Sequence, residues 1–176
     1  MPKKIALIGG PATGKTTLID ALKAKGFSCM DEISRQITIE AQKKGVKQLF
    51  LEDPIWFSKQ LLEARKNQFL VSQNFNEPLV FFDRGLPDVV AYLDYIKSDF
   101  DHEFITVCET HKYDQVFILP PWKAIHKTDN ERYESFDQLL EIHEYLKKWY
   151  SKFGYTAIEI EKGSIEDRLE FILESI

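Results

Sequence analysis

The sequence predicts a three-layer α/β domain in which five parallel strands lie between two layers of helices. Short apolar runs of strand length alternate with amphipathic segments of helical length, which is the pattern of strands joined by helical crossovers. Two of the runs end in chemically distinctive residues, Gly9-Gly10 and Asp83. Ligands bind at the carboxyl ends of parallel strands, so both positions are candidate sites. We expect one domain spanning residues 1–176.

The first half of the chain contains three of the predicted strands. Pro54 suits the first turn of a helix, and Phe57, Leu61 and Ala64 then recur at helical spacing. The predicted elements are a strand at 5–8, a helix ended by Gly26, a strand at 27–30, helices at 33–45 and 54–75, and a strand at 79–82.

The second half supplies two more strands. Pro120-Pro121 stops a strand, and the segment that begins at Ser164 fits a capping box at a helix start. The predicted elements are a helix opened by Pro87, a strand at 116–119, a helix carrying Phe136 to Leu146 with His143 on its apolar stripe, a strand at 157–160 and a helix from Ile165 to Ile176.

Composition excludes several classes of protein. The 176 residues carry a formal net charge of −5, which argues against a nonspecific nucleic-acid binder. The two cysteines lack zinc-site spacing and favour reduced thiols over a disulfide. No apolar run approaches the roughly 20 residues that span a bilayer. We therefore expect a cytoplasmic protein without a membrane span.

The segment 9–16 matches the pattern G-x-x-x-x-G-K-[ST] completely, with a strand before it and a helix after it. Backbone N–H groups of such a loop converge on phosphate oxygens, the lysine reaches the β and γ phosphates, and the threonine hydroxyl binds Mg²⁺. We expect a nucleoside triphosphate with Mg²⁺ to bind here. The predicted nucleotide-binding residues are Gly9, Gly10, Pro11, Ala12, Thr13, Gly14, Lys15, Thr16 and Thr17.

Asp83 and Arg84 follow the apolar strand 79–82. A carboxylate at this strand end can hold Mg²⁺ together with Thr16, directly or through water. Arg84 can contact the transferred phosphate or an anionic substrate. The alternative is an Asp-Arg pair that only caps the next helix.

A second acidic strand end is formed by Asp31-Glu32, with Arg35 three residues further on. If Glu32 faces the cleft, it can accept a proton from an attacking hydroxyl or bind a sugar hydroxyl. Arg35 shares its face if the segment is helical, which makes both residues candidates for substrate binding. The alternative is a solvated helix start with an internal ion pair.

A basic segment at about 120–134 interrupts an otherwise acidic chain. Phosphoryl transfer requires positive charge near the transferred group and exclusion of water. A mobile lid with one or two cations supplies both, and Arg132, where lid meets helix, is the candidate catalytic residue. Alternatively the segment is a solvated loop whose charges pair internally. Its cations are Lys123, His126, Lys127 and Arg132.

Five motifs together give the chain a family resemblance. It resembles the AAA-type P-loop domain family that includes the nicotinamide riboside kinase part of NadR-like bacterial proteins. This resemblance implies a nucleotide-kinase-like fold with strand order 2-3-1-4-5. It also implies acceptor-side roles for Glu32 and Arg35 and a lid role for Arg132. The motifs lie at residues 9–16, 31–35, 82–88, 119–122 and 129–135.

These observations predict a small-molecule kinase that uses ATP and Mg²⁺ to phosphorylate a hydroxyl of a nucleoside-like acceptor. Lys15, Glu32, Arg84 and Arg132 are its predicted catalytic residues. Some relatives in the family bind GTP and phospholipid, so a nucleotide-dependent regulatory module with slow hydrolysis is the alternative. The sequence does not distinguish ATP from GTP, because base recognition uses short loops. Here the segment 161–164 is the expected place. The acceptor and the oligomeric state stay open.

Overall fold

The computed structural model describes residues 1–43, 53–125 and 134–176. Within these residues the strands are β1 (Lys3–Ile8), β2 (Ser28–Met30), β3 (Leu79–Asp83), β4 (Gln115–Ile118) and β5 (Ile158–Glu159). The helices are α1 (Lys15–Ala24), α2 (Ser34–Lys43), α3 (Pro54–Ser72), α4 (Pro87–Tyr95), α5 (His102–Thr110), α6 (Phe136–Lys152) and α7 (Ile165–Glu174).

The five strands form one sheet in the order β2-β3-β1-β4-β5, and each neighbouring pair is parallel. This confirms the three-layer α/β class and the strand order that the resemblance implied. Strand β1 lies at the centre, between β3 and β4. The sequence places its most apolar run there, as a strand buried on both faces requires.

Alternate side chains of β1 enter two different cores because successive residues of a strand point to opposite faces. Ile5 and Leu7 pack with apolar residues of α1 and α7 on one face. Ala6 and Ile8 pack on the other face, in a larger core with residues of α3 to α6. Every one of these four strand residues is fully buried. The sheet is therefore covered by helices on both sides.

Several helix starts lie where the sequence predicts them. Asp53 caps α3 by accepting a hydrogen bond from the Trp56 amide at 3.0 Å, and Pro54 occupies its first turn. Pro87 begins α4. Ser164 and Asp167 form the predicted capping box of α7, which satisfies amides that a helix N-terminus otherwise leaves without partners.

Several boundaries differ from the prediction. Helix α3 ends at Ser72 instead of residue 75, and β5 has only two residues. Residues 44 and 45 of the predicted helix 33–45 lie outside the described residues. Helix α5 was not predicted; its fully buried apolar residues are only Phe104 and Cys108, a stripe too short to stand out in the sequence.

The carboxyl ends of β1, β2, β3 and β4 lie along one edge of the sheet. Because all strands are parallel, the segments that follow them meet there. This edge carries the glycine-rich loop, the Asp31-Glu32 turn, Asp83-Arg84 and the Pro120-Pro121 turn. In the described part of the chain, no helix is long and apolar enough to cross a membrane.

Candidate functional site

The glycine-rich loop connects β1 to α1, as predicted. Gly9 and Gly14 have φ angles of 146° and 90°, in the region that favours glycine. A Cβ on Gly9 would also lie 2.8 Å from the carbonyl oxygen of Leu119. Gly14 is the N-cap of α1, so the loop leads directly into the positive end of that helix. This backbone path has the form of a phosphate-binding loop.

Lys15 is 6% exposed and lies against the carbonyl groups of the loop. Its Nζ donates hydrogen bonds to the Gly9 oxygen at 2.7 Å and the Gly10 oxygen at 2.6 Å. Burial and the nearby positive charge of Arg84 lower the pKa of Lys15 to about 7, against the opposite effect of Asp83. An anion bound in the loop would stabilise the charged ammonium and raise this pKa again.

Nucleotide binding should therefore take up a proton above neutral pH. With a pKa of about 7 in the free protein and a higher one in the complex, affinity should fall up to about tenfold per pH unit above pH 7. Below pH 7 the lysine is already charged and this dependence should vanish. Calorimetric titration at pH 8 in two buffers of different ionisation enthalpy measures the proton count. An equal heat in both buffers contradicts the prediction, and Lys15→Met should abolish the uptake.

Asp83 ends β3 next to the central strand, in register with Leu7. It is 5% exposed, and its buried Oδ1 atom has no hydrogen-bond partner. Burial raises the pKa of this carboxyl, whereas nearby Lys15 lowers it. A buried carboxylate oxygen without a donor is costly unless a ligand reaches it.

The donor set fits Mg²⁺, which binds through one or two carboxylates together with hydroxyl, water and phosphate oxygens. Asp83 supplies the carboxylate, and Thr16 lies exposed in the first turn of α1. No group of three or more His, Cys, Asp or Glu side chains able to hold a metal occurs among the described residues. A metal at this edge would therefore depend on oxygens of a bound nucleotide.

Arg84 connects the glycine-rich loop with the acidic turn after β2. Its backbone has a φ of 73°, in the left-handed region that residues other than glycine seldom adopt. One NH group donates to the Gly9 carbonyl oxygen at 3.2 Å, and its Nε forms an ion pair with Glu32. The same NH group lies 3.4 Å from a carboxylate oxygen of Asp88. Arg84 thus contacts the predicted nucleotide side and the predicted acceptor side at once.

Glu32 is held by a second buried arginine. Arg65 of α3 is 3% exposed; it donates to Glu32 at 3.0 Å and to the Gly85 carbonyl at 3.0 Å. The amide of Ser34 donates to the same carboxylate at 2.9 Å. Burial alone would raise the pKa of Glu32, but Arg65, Arg84 and Ser34 outweigh it and lower the pKa to about 2. Glu32 is therefore an ionised, fixed carboxylate at physiological pH.

Asp88 belongs to the same network. It lies in the first turn of α4. It is also 1% exposed, accepts hydrogen bonds from the Gly85 amide at 3.1 Å and the Tyr150 hydroxyl at 2.6 Å, and pairs with Arg84. Asp88 therefore fixes the turn that presents Arg84.

The remaining predicted residues take different positions. Thr17 is exposed in the first turn of α1 beside Thr16. Arg35 is exposed on the first turn of α2, and Arg65 of α3 forms an ion pair with Glu32. Lys123 is exposed, and Arg132 lies with residues 126–133 outside the described residues. The proposed lid at 120–134 is thus described only at its two ends.

The sequence did not single out Arg65. It lies 33 residues from Glu32, within a helix where an arginine is ordinarily a surface residue. One signal was present: Arg65 shares a helical stripe with Leu61 and Leu62, which are buried. A cation on the buried face of a helix needs a buried anion, and Glu32 provides it.

The parallel sheet and the glycine-rich loop between β1 and α1 define a P-loop nucleoside triphosphatase fold. Residues 4–168 match the model of the AAA domain family. The chain therefore belongs to the AAA domain family, which confirms the resemblance found in the sequence. No curated protein shows a significant sequence match to this chain.

Solved structures with a similar fold include two groups of proteins. Deoxyadenosine kinase from M. mycoides, with dCMP and a flexible dCDP bound, has 14% identity and a TM-score of 0.71, over 98% of this chain and 97% of that one. NadR in complex with NR has 16% identity and a TM-score of 0.73 over 99% of this chain. This chain spans half of that NadR chain. At these identities the similarity is one of fold.

Proposed function

We propose that this chain is a small-molecule kinase that transfers the γ-phosphoryl group of ATP, bound with Mg²⁺, to a hydroxyl of a nucleoside-like acceptor. The observation that carries the proposal is the bridge made by Arg84, which contacts both the Gly9 carbonyl of the phosphate loop and the Glu32 carboxylate. A cation between a triphosphate site and a fixed carboxylate lies where phosphoryl transfer needs one. GTP is the alternative donor.

Glu32 orients the acceptor hydroxyl. With a pKa of about 2 it is a weak base, so it does not remove the proton early. Phosphoryl transfer has a loose transition state in which positioning and charge stabilisation supply most of the catalysis. A carboxylate that accepts a hydrogen bond from the attacking hydroxyl, and takes its proton late, suits that requirement.

The cations act on the phosphate charge. Lys15 neutralises the β and γ phosphates within the loop, and Arg84 reaches the transferred group from the acceptor side. Asp83 and Thr16 would hold Mg²⁺, which supplies charge neutralisation across the phosphates when bound. We assign Arg35 to the acceptor side and Arg132 to a lid over the phosphates, as predicted from the sequence.

The kinds of protein that share the fold support the acceptor class. One is named a deoxyadenosine kinase, and its structures hold deoxynucleotides. The other, NadR, was crystallised with NR and, separately, with NAD and AMP-PNP. We therefore place nucleosides, including ribosides with a nicotinamide base, first among the acceptors to be tested.

The first test is transfer itself. Purified protein with ATP or GTP and Mg²⁺ is incubated with a panel of nucleosides, and the phosphorylated product is identified by mass spectrometry together with nucleoside diphosphate release. A phosphorylated nucleoside supports the kinase. Tight nucleotide binding without any acceptor-dependent turnover indicates the nucleotide-dependent binding module instead.

Glu32→Gln should lower the rate of transfer by about 10²-fold while nucleotide affinity stays within about twofold. Glutamine preserves the size of the side chain but gives up the negative charge that orients the hydroxyl. The matched control is Glu40→Gln, an exposed position on α2 with the same change of charge. A Glu32→Gln variant that transfers as fast as the control contradicts the assigned role.

A further inference from the structure

A third buried arginine, Arg168, also contacts the phosphate loop. It lies in the first turn of α7 and is 6% exposed. One of its NH groups donates to the Thr13 carbonyl oxygen at 3.2 Å. The other lies 2.9 Å from the point where a Cβ on Gly14 would stand. The guanidinium therefore lies against the loop at Thr13 and Gly14.

Trp122 lies beside this guanidinium. The Arg168 Cζ atom lies 5.8 Å from the centroid of the Trp122 ring, within the range of a cation–π contact. Trp122 follows the Pro120-Pro121 turn after β4, while Arg168 comes from the helix after β5. The contact therefore ties together two segments that flank the loop.

Arg168 differs from the other buried arginines in its charge environment. Arg65 and Arg84 both form ion pairs with Glu32. No ion pair to Arg168 is found among the described residues, and its buried Nε has no hydrogen-bond partner. Burial lowers the pKa of Arg168. A buried cation without an anion is destabilising, because its lost hydration is not replaced.

We propose that Arg168 is a nucleotide-binding residue whose counter-ion is the polyphosphate of the bound nucleoside triphosphate. Its side chain pairs with the phosphates from the side of the loop that faces α7, and Trp122 holds the guanidinium in place. The inference rests on nucleotide binding, which the proposed function also requires, and not on phosphoryl transfer.

The test uses Arg168→Gln, whose amide can still donate to the Thr13 carbonyl. Affinities for AMP-PNP with Mg²⁺, for inorganic tripolyphosphate and for adenosine are measured by calorimetry. Loss of a charge-assisted contact should weaken AMP-PNP and tripolyphosphate about 10- to 100-fold each, and leave adenosine unchanged. Arg168→Lys should recover part of the loss. The matched control is Lys25→Gln, an exposed position at the far end of α1 with the same loss of charge.

A residue that merely supports the loop would give a different result. Removing such a support lowers the melting temperature of the ligand-free protein, whereas removing an uncompensated buried charge leaves it unchanged or raises it. The proposal is overturned if Arg168→Gln binds tripolyphosphate as tightly as wild type, or if it melts earlier and Arg168→Lys restores no affinity. Failure of the wild type to bind triphosphate overturns the proposed function as well. If the wild type binds the triphosphate but forms no phosphorylated acceptor, the kinase proposal is contradicted and the proposal for Arg168 is not.

Discussion

Arg65→Met is expected to lower the free energy of unfolding by about 3–5 kcal/mol, because it removes one partner of a buried ion pair. Arg65 is 3% exposed and donates to both Glu32 and the Gly85 carbonyl, so its loss leaves the buried Gly85 carbonyl without this donor and removes one of the donors to Glu32. Arg84 still pairs with Glu32 in the variant and limits the loss. Urea unfolding followed by circular dichroism measures the difference.

Lys59→Met is the matched control, since it removes a cation from the same helix. Lys59 pairs with Asp101 at 3.0 Å on the surface, where solvent screens an ion pair and leaves it with little effect on stability. The double variant Arg65→Met with Glu32→Gln should be less destabilised than the sum of the single changes, by about 1–3 kcal/mol. If Arg65→Met stays within 1 kcal/mol of wild type, the ion pair does not stabilise the fold.

Transfer should also fall in the Arg65 variant, through Glu32. Arg65 and the Ser34 amide fix the carboxylate from the side away from the loop. Without Arg65 the Glu32 carboxylate can shift toward Arg84, and the acceptor hydroxyl then loses its orientation. Because Arg65 acts through Glu32, the combined variant should transfer no more slowly than Glu32→Gln alone.

The fold could be predicted from the sequence because its signals are local. Each central strand is a continuous apolar run, and β1 ends in a loop whose glycines are required by backbone conformation. Helix boundaries marked by Pro54, Pro87 and Ser164 follow the same logic, since capping depends on residues a few positions apart. Helix α5 carries no comparable stripe, so only tertiary packing around Phe104 reveals it.

The site could be predicted only in part, because the charge network is non-local. Sequence spacing predicted only that Arg35 shares a face with Glu32 if the segment is helical, since residues three apart are neighbours on a helix. The structure exposes Arg35 and brings Arg65 and Arg84 to Glu32 from two other elements. Arg168 was missed for the same reason: 155 residues separate it from Thr13. Spacing identifies neighbours within a helix and gives no information on partners across the sheet edge.

Asp83→Asn is expected to reduce transfer by about 10²- to 10³-fold at saturating nucleotide, the scale on which loss of one charge-stabilising group acts. The buried Oδ1 of Asp83 has no hydrogen-bond donor. Nearby charged side chains include Lys15 of the phosphate loop and Arg84, both of which we expect to contact a bound triphosphate. The amide cannot bind Mg²⁺ with a full negative charge. The variant should therefore also lose most of the difference in AMP-PNP affinity between Mg²⁺ and EDTA solutions.

In the Asp83→Asn variant the free energy of unfolding should not fall with the transfer rate. Asp83 is a buried carboxylate that lacks hydrogen bonds at Oδ1, so a neutral amide of the same shape should leave the ligand-free protein as stable or slightly more stable. Asp94→Asn is a control for which the opposite pattern is expected. Asp94 accepts hydrogen bonds from Lys148 at 2.6 Å and Trp149 at 2.8 Å, away from the loop. That variant should lose about 1 kcal/mol of stability and keep full transfer. An Asp83→Asn variant that retains Mg²⁺-dependent transfer would show that the carboxylate is buried for a structural reason, and that the metal is bound through the nucleotide and Thr16 alone.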